Sequence, residues 1–336
     1  QPLGNLLAGD HPLRKIRADF DEAYSRLAHL FETSYGTTGN PSVPAPVLLR
    51  AFLLKALYSI KSERALCEQI ELNAGFRWFV GLDWDDRVFD HSTLSLNRRR
   101  LFGSGAAEAL MGEVVRLAES RRLIQSDRLV VDGTQIKAWA SHKSFKPKDG
   151  SDGGVSSFRG KKRSNKTHAS TTDPDARLLR KGKGKESMLC HLGHVLVDSA
   201  TGLVKACRVT AACGLEESAE VLAALEMASE HMSRGQTLVA DRGFDTRSFV
   251  HGCRELGIRA HPRPKSKGSA LDGRTTKRES FAQSMKRRFI AEQPFSWIKD
   301  AGRMAQTKLR GTEKVGWDFT MCCTAFDLRR MANQPR

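Results

Sequence analysis

Apolar residues recur at helical spacing through the first third of the chain. This pattern predicts a helix over residues 18–31 and, after a proline-rich break, a broadly apolar helix over residues 47–57. Ser62 is expected to cap the next helix, which runs from residue 63 to about residue 73 and is followed by an interruption at Gly75. We therefore predict an all-helical N-terminal domain over residues 1–125.

The periodicity changes near residue 129, where short β-branched runs replace helical spacing. L-V-V-D-G-T predicts a buried strand ending at Asp132, and T-L-V-A-D-R-G-F predicts another ending at Asp241. Residues 188–198 and 202–211 between them predict a hairpin. Further predictions are helices over 216–232, 246–256, 285–299 and 314–331, and a strand over 258–262. This order predicts an α/β domain over residues 126–336.

A loop-like insert interrupts the second domain at about residues 141–186. Residues 137–186 carry 14 basic and 5 acidic side chains, so the segment is strongly cationic. We expect this insert to be mobile unless a ligand orders it. A solvated tail is one interpretation, but the position just after Asp132 favours an arm that lies on a phosphate backbone.

The charge of the chain is concentrated in its second part. The formal net charge is +17, and residues 1–125 contribute only 16 basic against 15 acidic side chains. The remaining residues hold 39 basic and 23 acidic side chains, so residues 126–336 carry the surface for a polyanion. Acids at strand ends inside such a basic region are therefore candidates for function.

The seven cysteines form no C-x-x-C pair and no metal-ligand spacing with histidines. We interpret them as reduced core thiols of a cytosolic protein. No run of about twenty apolar residues predicts a membrane span, and no signal peptide is indicated. The chain begins at Gln1, and we expect a short leader to precede it.

Three carboxylates are the candidates for catalysis. Neighbouring parallel strand ends would place Asp132 and Asp241 side by side, and a packed helix could bring Glu292 to the same point. Crowded carboxylates bind hard divalent ions such as magnesium, and two such ions stabilise the attacking and leaving oxygens of a phosphoryl displacement. The alternatives are a turn-capping aspartate for Asp132 and, for Glu292, an exposed ion pair with Arg288 on a helical stripe that also includes Lys299.

The N-terminal domain allows two interpretations of equal weight. Asp90 or Ser92 can cap a helix that ends in Arg98, Arg99 and Arg100, which fits a DNA-reading helix-turn-helix. A near-neutral region with a solvated basic helix end fits a dimerisation or support domain equally well.

Five motifs give the chain a resemblance to the DDE transposases of bacterial insertion sequences, in particular the insertion sequence 5 group. They are L-V-V-D-G-T, S-T-T-D-P-D-A-R-L-L-R-K-G, L-G-H-V-L-V-D, V-A-D-R-G-F-D and R-x3-E-x6-K, the last followed by L-R-G. D-H-S-T-L-S-L-N-R-R-R-L in the first half also resembles the helical N-terminal domain of that family. The resemblance covers most of the chain.

The resemblance implies a ribonuclease H-like mixed sheet flanked by helices, with Asp132, Asp241 and Glu292 as the DDE triad. It implies two Mg²⁺ ions, for which Mn²⁺ can substitute, and cleavage at terminal inverted repeats followed by attack of the freed 3′-hydroxyl on target DNA. A homodimer on DNA and a cytoplasmic, nucleoid-associated bacterial location follow as expectations. The predicted DNA contacts are Arg288, Lys299, Arg242, Lys137, Arg310, Arg98 and Arg99.

Four positions depart from the family pattern. Met285 replaces a tyrosine, and Phe326 and Asp327 replace a tyrosine-asparagine pair. Pro294 predicts either a helix that begins near residue 291 or a kink beside Glu292. The alternative function is therefore a decayed transposase that binds DNA but does not cut it. A ribonuclease H-like nuclease unrelated to transposition is a further alternative.

Overall fold

The computed structural model of the chain describes residues 2–32, 43–102, 105–149, 164–180, 184, 186–212 and 217–334. The chain divides into two compact units. The first unit contains residues 1–125, 296–303 and 320–336. The second contains residues 126–295 and 304–319. Each unit is therefore built from more than one stretch of sequence.

The first unit is helical in its described residues. Its N-terminal helices are α1 (Pro12–Ser25), α2 (Ala28–Glu32), α3 (Ala45–Leu57), α4 (Glu63–Leu72), α5 (Ala74–Val80), α6 (His91–Phe102) and α7 (Ala106–Ser120). The predicted cap is confirmed, because Ser62 Oγ accepts a hydrogen bond of 3.1 Å from the Ala65 amide. Asp90 Oδ1 accepts from the Ser92 amide at 2.7 Å, so Asp90 rather than Ser92 caps α6.

Two helix boundaries in the first unit differ from the prediction. The helix expected over residues 18–31 begins at Pro12, where proline suits a first turn, and it ends at Ser25 before the separate helix α2. Gly75 does not interrupt a helix. It lies in the first turn of α5, because Asn73 ends α4 and its side chain accepts from the Phe76 amide at 3.1 Å.

The second unit contains a seven-stranded mixed sheet and a separate two-stranded sheet within its described residues. The strands are β1 (Arg128–Ala138), β2 (Phe145–Pro147), β3 (His168–Ser170), β4 (Arg177–Arg180), β5 (Ser187–Asp198), β6 (Val204–Ala211), β7 (Thr237–Ala240), β8 (Arg259–Pro262) and β9 (Gln306–Thr307). The main order is β4-β5-β1-β7-β8, with β6 also pairing with β5 and β9 with β1. β5 runs antiparallel to β1, β4 and β6, while β1, β7 and β8 are parallel. The predicted α/β class with a mixed sheet is confirmed.

Strand β1 is longer than its apolar run predicts. Asp132 does not end it, because residues 133–137 continue the antiparallel ladder with β5. The other edge of β1 changes partner along its length. It pairs with β7 over residues 128–131 and with β9 over residues 137–138. In the interval, the 3-10 turn Arg288–Ala291 packs against β1 and β5.

The described parts of the predicted insert correct the expectation of a loop. Strands β2 and β3 pair with each other, and β4 joins the edge of β5. Phe145 and Ala176 are buried with Ala138 in a small apolar cluster, which explains why these short strands form. The prediction of mobility for residues 150–163, 181–183 and 185 lies outside the described residues.

Helices cover the sheet of the second unit. These are α8 (Glu217–His231), α9 (Arg247–Glu255), α10 (Gly273–Thr276), α11 (Glu279–Arg287), α12 (Glu292–Asp300) and α13 (Thr312–Ala332), the last two contributing residues to both units. α8 and α9 bury Val221, Ala224 and Phe249 against Val131 and Ala240 of the sheet. Gly193 of β5 lies beneath the Phe319 ring of α13, where an added Cβ would sit 2.8 Å from ring atoms. The glycine of the L-G-H-V-L-V-D motif therefore permits close helix packing.

The helix predicted over residues 285–299 is broken. α11 ends at Arg287, the 3-10 turn follows, and α12 begins at Glu292. Pro294 is the third residue of α12, where its missing N–H has no intrahelical partner to lose. The helix therefore begins at Glu292, close to the start near residue 291 that the first of the two alternatives predicted. No helix in the described part of the chain combines the length and apolar character that a membrane crossing requires.

Candidate active site

Asp132 lies on β1 directly after the last residue pair that β1 shares with β7, Val131 and Ala240. The Gly133 amide donates a hydrogen bond of 2.8 Å to its Oδ1. Burial raises the pKa of Asp132 to about 6, opposed by the Gly133 amide and by the charge of Arg288. The negative charges of Glu292 and Glu220 add to the rise. The ionised form of Asp132 is therefore unfavourable in this environment, and a nearby cation would stabilise it.

Asp241 occupies the equivalent place on the neighbouring strand, since it follows Ala240 at the end of β7. Adjacent strands lie about 4.8 Å apart, so the two aspartates lie at neighbouring points of the sheet. Arg288 forms an ion pair with Asp241. The Arg288 side chain is 10% exposed and that of Asp241 is 48% exposed, so the pair lies at the border between protein and solvent.

Glu292 is the exposed first residue of α12, immediately after the 3-10 turn that carries Arg288. Its charge acts on Asp132 strongly enough to contribute to the raised pKa of that carboxyl group. Within the described ranges, however, no three His, Cys, Asp or Glu side chains are arranged to hold a metal ion. The guanidinium of Arg288 is the cation that stands beside Asp241 in this arrangement.

The local geometry differs from the predicted helical stripe of Arg288, Glu292 and Lys299. Arg288 lies on the 3-10 turn and pairs with Asp241, so the alternative of a surface ion pair between Arg288 and Glu292 is not supported. The guanidinium also lies 4.2 Å from the centroid of the exposed Phe289 ring. Lys299 lies two turns after Glu292 on α12, in the part of that helix that belongs to the first unit.

The other predicted DNA contacts fall into two groups. Arg242, Lys137 and Arg310 are exposed on the second unit. Arg98 instead forms an ion pair with Glu63 inside the first unit, so part of its charge is offset locally. The side chain of Arg99 lies outside the described residues. The DNA roles of these residues remain predictions.

Glu220 is a fourth acid near Asp132 that sequence reasoning did not find. It lies on α8 at the start of an i, i+4, i+7, i+8 series whose other members, Ala224, Met227 and Ala228, are buried against the sheet. Burial raises the pKa of Glu220, and its charge acts on Asp132. The sequence did contain a signal for Glu220, namely an acidic residue on the apolar stripe of a helix.

The S-T-T-D-P-D motif positions the loop before α13. Asp173 is buried, its Oδ2 lies 2.9 Å from Nε2 of the buried His191, and its Oδ1 accepts from the Gly311 amide at 3.1 Å. Asp175 Oδ2 accepts from the Thr312 amide at 2.9 Å at the start of α13. Two separate carboxylates thus hold the L-R-G segment, which includes the exposed Arg310.

A mixed α/β sheet that carries aspartates at neighbouring positions of two parallel strands, in a strongly basic unit, suits an enzyme that acts on nucleic-acid backbones. The chain belongs to the transposase DDE domain family, whose model matches residues 125–328. A second family model, a transposase domain, matches residues 1–100. The chain is therefore a DDE transposase, of the family that cleaves DNA and transfers strands. The insertion sequence 5 group stays a prediction.

The chain is also similar in structure to a solved transposase. A cryo-EM structure of the piggyBac transposase synaptic complex with hairpin DNA matches with a TM-score of 0.42 and 11% sequence identity. The match covers 94% of this chain and 72% of that one. No curated protein matches the chain at a significant level.

Proposed function

We propose that this transposase uses Asp132, Asp241 and Glu292 to cleave DNA at the ends of an insertion sequence and to transfer the freed 3′-hydroxyl into target DNA. The observation that carries the proposal is that Asp132 and Asp241 directly follow the last residue pair shared by the parallel strands β1 and β7, with the charge of Glu292 acting on Asp132. The match to the DDE domain supports the assignment.

Divalent metal ions are generally required by DDE transposases, and the donor set here fits such an ion. Asp132, Asp241 and Glu292 offer only carboxylate oxygens, which Mg²⁺ and Mn²⁺ prefer. Burial and two neighbouring acids make the ionised form of Asp132 costly, so a cation is favoured there. We propose that the three carboxylates hold two Mg²⁺ ions, and that Arg288 gives up Asp241 when a metal ion binds.

The bound metal ions would supply stabilisation of the attacking and leaving oxygens at the scissile phosphate. The chain itself then has to hold DNA and orient it. Arg288 and Arg242 would bind phosphate oxygens next to the cleaved bond, since Arg288 pairs with Asp241 and Arg242 follows Asp241 directly in the chain. Lys137 and Arg310 extend the positive surface of the same unit.

Replacement of each carboxylate tests the proposal. Asp132→Asn, Asp241→Asn and Glu292→Gln keep the side-chain shape while removing the charge, and each should lower cleavage of an end substrate by at least about 100-fold in Mg²⁺. DNA binding measured by fluorescence anisotropy should persist in all three. A variant that cuts as well as wild type would remove that residue from the centre.

The same assay addresses the decayed-transposase alternative. Binding of terminal repeats by the wild-type chain with no cleavage in Mg²⁺ or Mn²⁺ would favour a protein that holds DNA without cutting it. Joining of a pre-cleaved 3′ end to target DNA would instead establish strand transfer.

The assembly on DNA is the remaining part of the proposal. Action at two element ends suggests a homodimer, with the helical N-terminal domain binding the DNA ends, forming the dimer, or both. Light scattering of the full chain with and without end DNA should show a mass of two chains per complex. A complex with one chain bound to each separate DNA molecule would contradict the dimer.

A further inference from the structure

Helix α9 borders an open concavity of about 460 Å³ that the catalytic proposal does not use. The residues that line it are Arg247, Ser248, Val250, His251, Arg254 and Ala270. Arg247, His251 and Arg254 are spaced i, i+4 and i+7, so they share one face of the helix. The concavity is therefore lined along one wall by two arginines and a histidine.

The protein offsets the positive charge of this concavity only in part. Within the described ranges, neither Arg247 nor Arg254 forms a direct ion pair, and no acidic side chain lines the space. The carboxylate of Asp272, in the loop that follows, interacts with the charge of Arg254 without such a direct contact. His251 has only an exposed contact of 3.4 Å with Glu255. Two guanidinium groups facing one recess attract an anion, and phosphate geometry suits the arginine fork.

The walls of the concavity are held by buried contacts. Asp245 is buried and accepts hydrogen bonds from the Lys265 amide at 2.6 Å and the Ala270 amide at 2.9 Å, which fixes the loop opposite α9. Thr246 caps α9 through the Phe249 amide at 3.2 Å, and Phe249 is buried in the sheet core. The arginines thus project from a fixed helix.

The helix that borders the concavity follows the end of β7 closely in the sequence. α9 begins six residues after Asp241, across the short 3-10 turn Arg242–Phe244. From Arg247 to Arg254 the helix rises roughly 10 Å, at about 1.5 Å per residue. This length suits contact with successive phosphates of one strand. We infer that the α9 concavity is a phosphodiester-binding site that holds DNA away from the cleaved bond.

This inference rests on the proposed function, and its test separates the two. The variant is Arg247→Gln with Arg254→Gln in the full chain, and the matched control is Arg208→Gln. Arg208 is a useful control because Glu226 and Glu230 already offset its charge. Affinity for duplex end DNA is measured by anisotropy across a range of salt concentrations, with thermal melts to verify folding.

The double variant should lower the slope of log K against log salt by about two, since each phosphate contact contributes about 0.9. Its affinity at 0.1 M salt should fall roughly 10- to 100-fold, whereas Arg208→Gln should keep the wild-type slope. An unchanged slope in a folded double variant would overturn the inference. If the double variant also bound and cleaved DNA as well as wild type, the proposed function would be unaffected by that result.

Two assays identify which DNA occupies the site. Loss of end cleavage in the double variant would assign the concavity to element-end DNA. Normal end cleavage with impaired joining of pre-cleaved ends would assign it to target DNA. Either result, together with the reduced salt slope, supports a phosphodiester site.

Discussion

At the scale of single residues, Asp132 links the stability of the fold to pH. Burial raises its pKa to about 6, so the folded chain holds this proton more tightly than the unfolded chain does. The resulting stabilisation is fully present at pH values below the ordinary aspartate range and is lost as pH rises through about 6. At neutral pH the metal-free protein therefore carries a buried charge at a cost in stability.

Asp132→Asn should remove this cost. A shift of roughly two pK units corresponds to at most about 3 kcal/mol, so the variant should gain about 1–3 kcal/mol in unfolding free energy above pH 6, without metal. The gain should shrink as pH falls from 6 towards 4. Urea unfolding at several pH values measures it, and a variant less stable than wild type at pH 7.5 would contradict the assignment.

Arg288 is expected to compete with metal for Asp241. Arg288→Gln removes the guanidinium of the Asp241 ion pair and should tighten Mn²⁺ binding by about tenfold or more, because a nearby unit charge is worth one to several kcal/mol. Isothermal titration calorimetry of the full chain without DNA measures the affinity.

Arg242→Gln is the matched control for this experiment. Arg242 follows Asp241 directly and is exposed, but no ion pair with a described residue engages it. Its replacement should change Mn²⁺ affinity much less. Equal effects of both variants would indicate a general field of the basic unit, and weaker metal binding by Arg288→Gln would rule out competition.

At the scale of elements, the carboxylates of the S-T-T-D-P-D motif should differ in their effect on stability. Asp175→Ala removes a cap at the start of α13 and should cost about 1 kcal/mol. Asp173→Ala leaves the buried His191 and the Gly311 amide without their partner and should cost about 3–5 kcal/mol. Urea denaturation compares the two, and equal losses would contradict the distinction.

Some elements could be predicted because their signals are local. The caps formed by Ser62 and Asp90 depend on a side chain and an amide two or three residues away. Strand β7 was also predictable, since its apolar run T-L-V-A is short and complete. Such features need no knowledge of distant partners.

Other elements depend on contacts that the local pattern does not contain. β1 continues past Asp132 although Gln135 and Lys137 are polar, because β5 supplies the hydrogen bonds. β9 is only two residues long and exists through its pairing with β1. Helical spacing relates Arg288 to Glu292, but its ion-pair partner, Asp241, lies 47 positions earlier in the chain and could not be read from that spacing.

At the scale of the whole molecule, the first unit depends on the end of the chain. Thr324 on α13 donates a hydrogen bond of 3.3 Å to the sulfur of Met111, and Lys15 donates to the Ala332 carbonyl at 3.0 Å. Leu328 and Met331 are buried. Removing residues 296–336 would therefore expose apolar surface of the helices in residues 1–125.

A fragment of residues 1–125 is accordingly expected to lack a cooperative thermal transition at the temperature of the full chain and to bind hydrophobic dyes. Circular dichroism and dye fluorescence measure these properties. Addition of a peptide of residues 320–336 should recover part of the helicity. A fragment that melts cooperatively at the full-chain temperature would show that the N-terminal helices suffice.

The first unit contains residues from both ends of the chain, so it can be completed only late in protein synthesis. Its helices emerge from the ribosome first, yet residues 126–319 must be translated before the last segment becomes available. At about 5–20 residues per second, this interval is roughly 10–40 s. Chains that terminate early would lack residues 320–336 and would therefore expose apolar surface of the N-terminal helices to proteases.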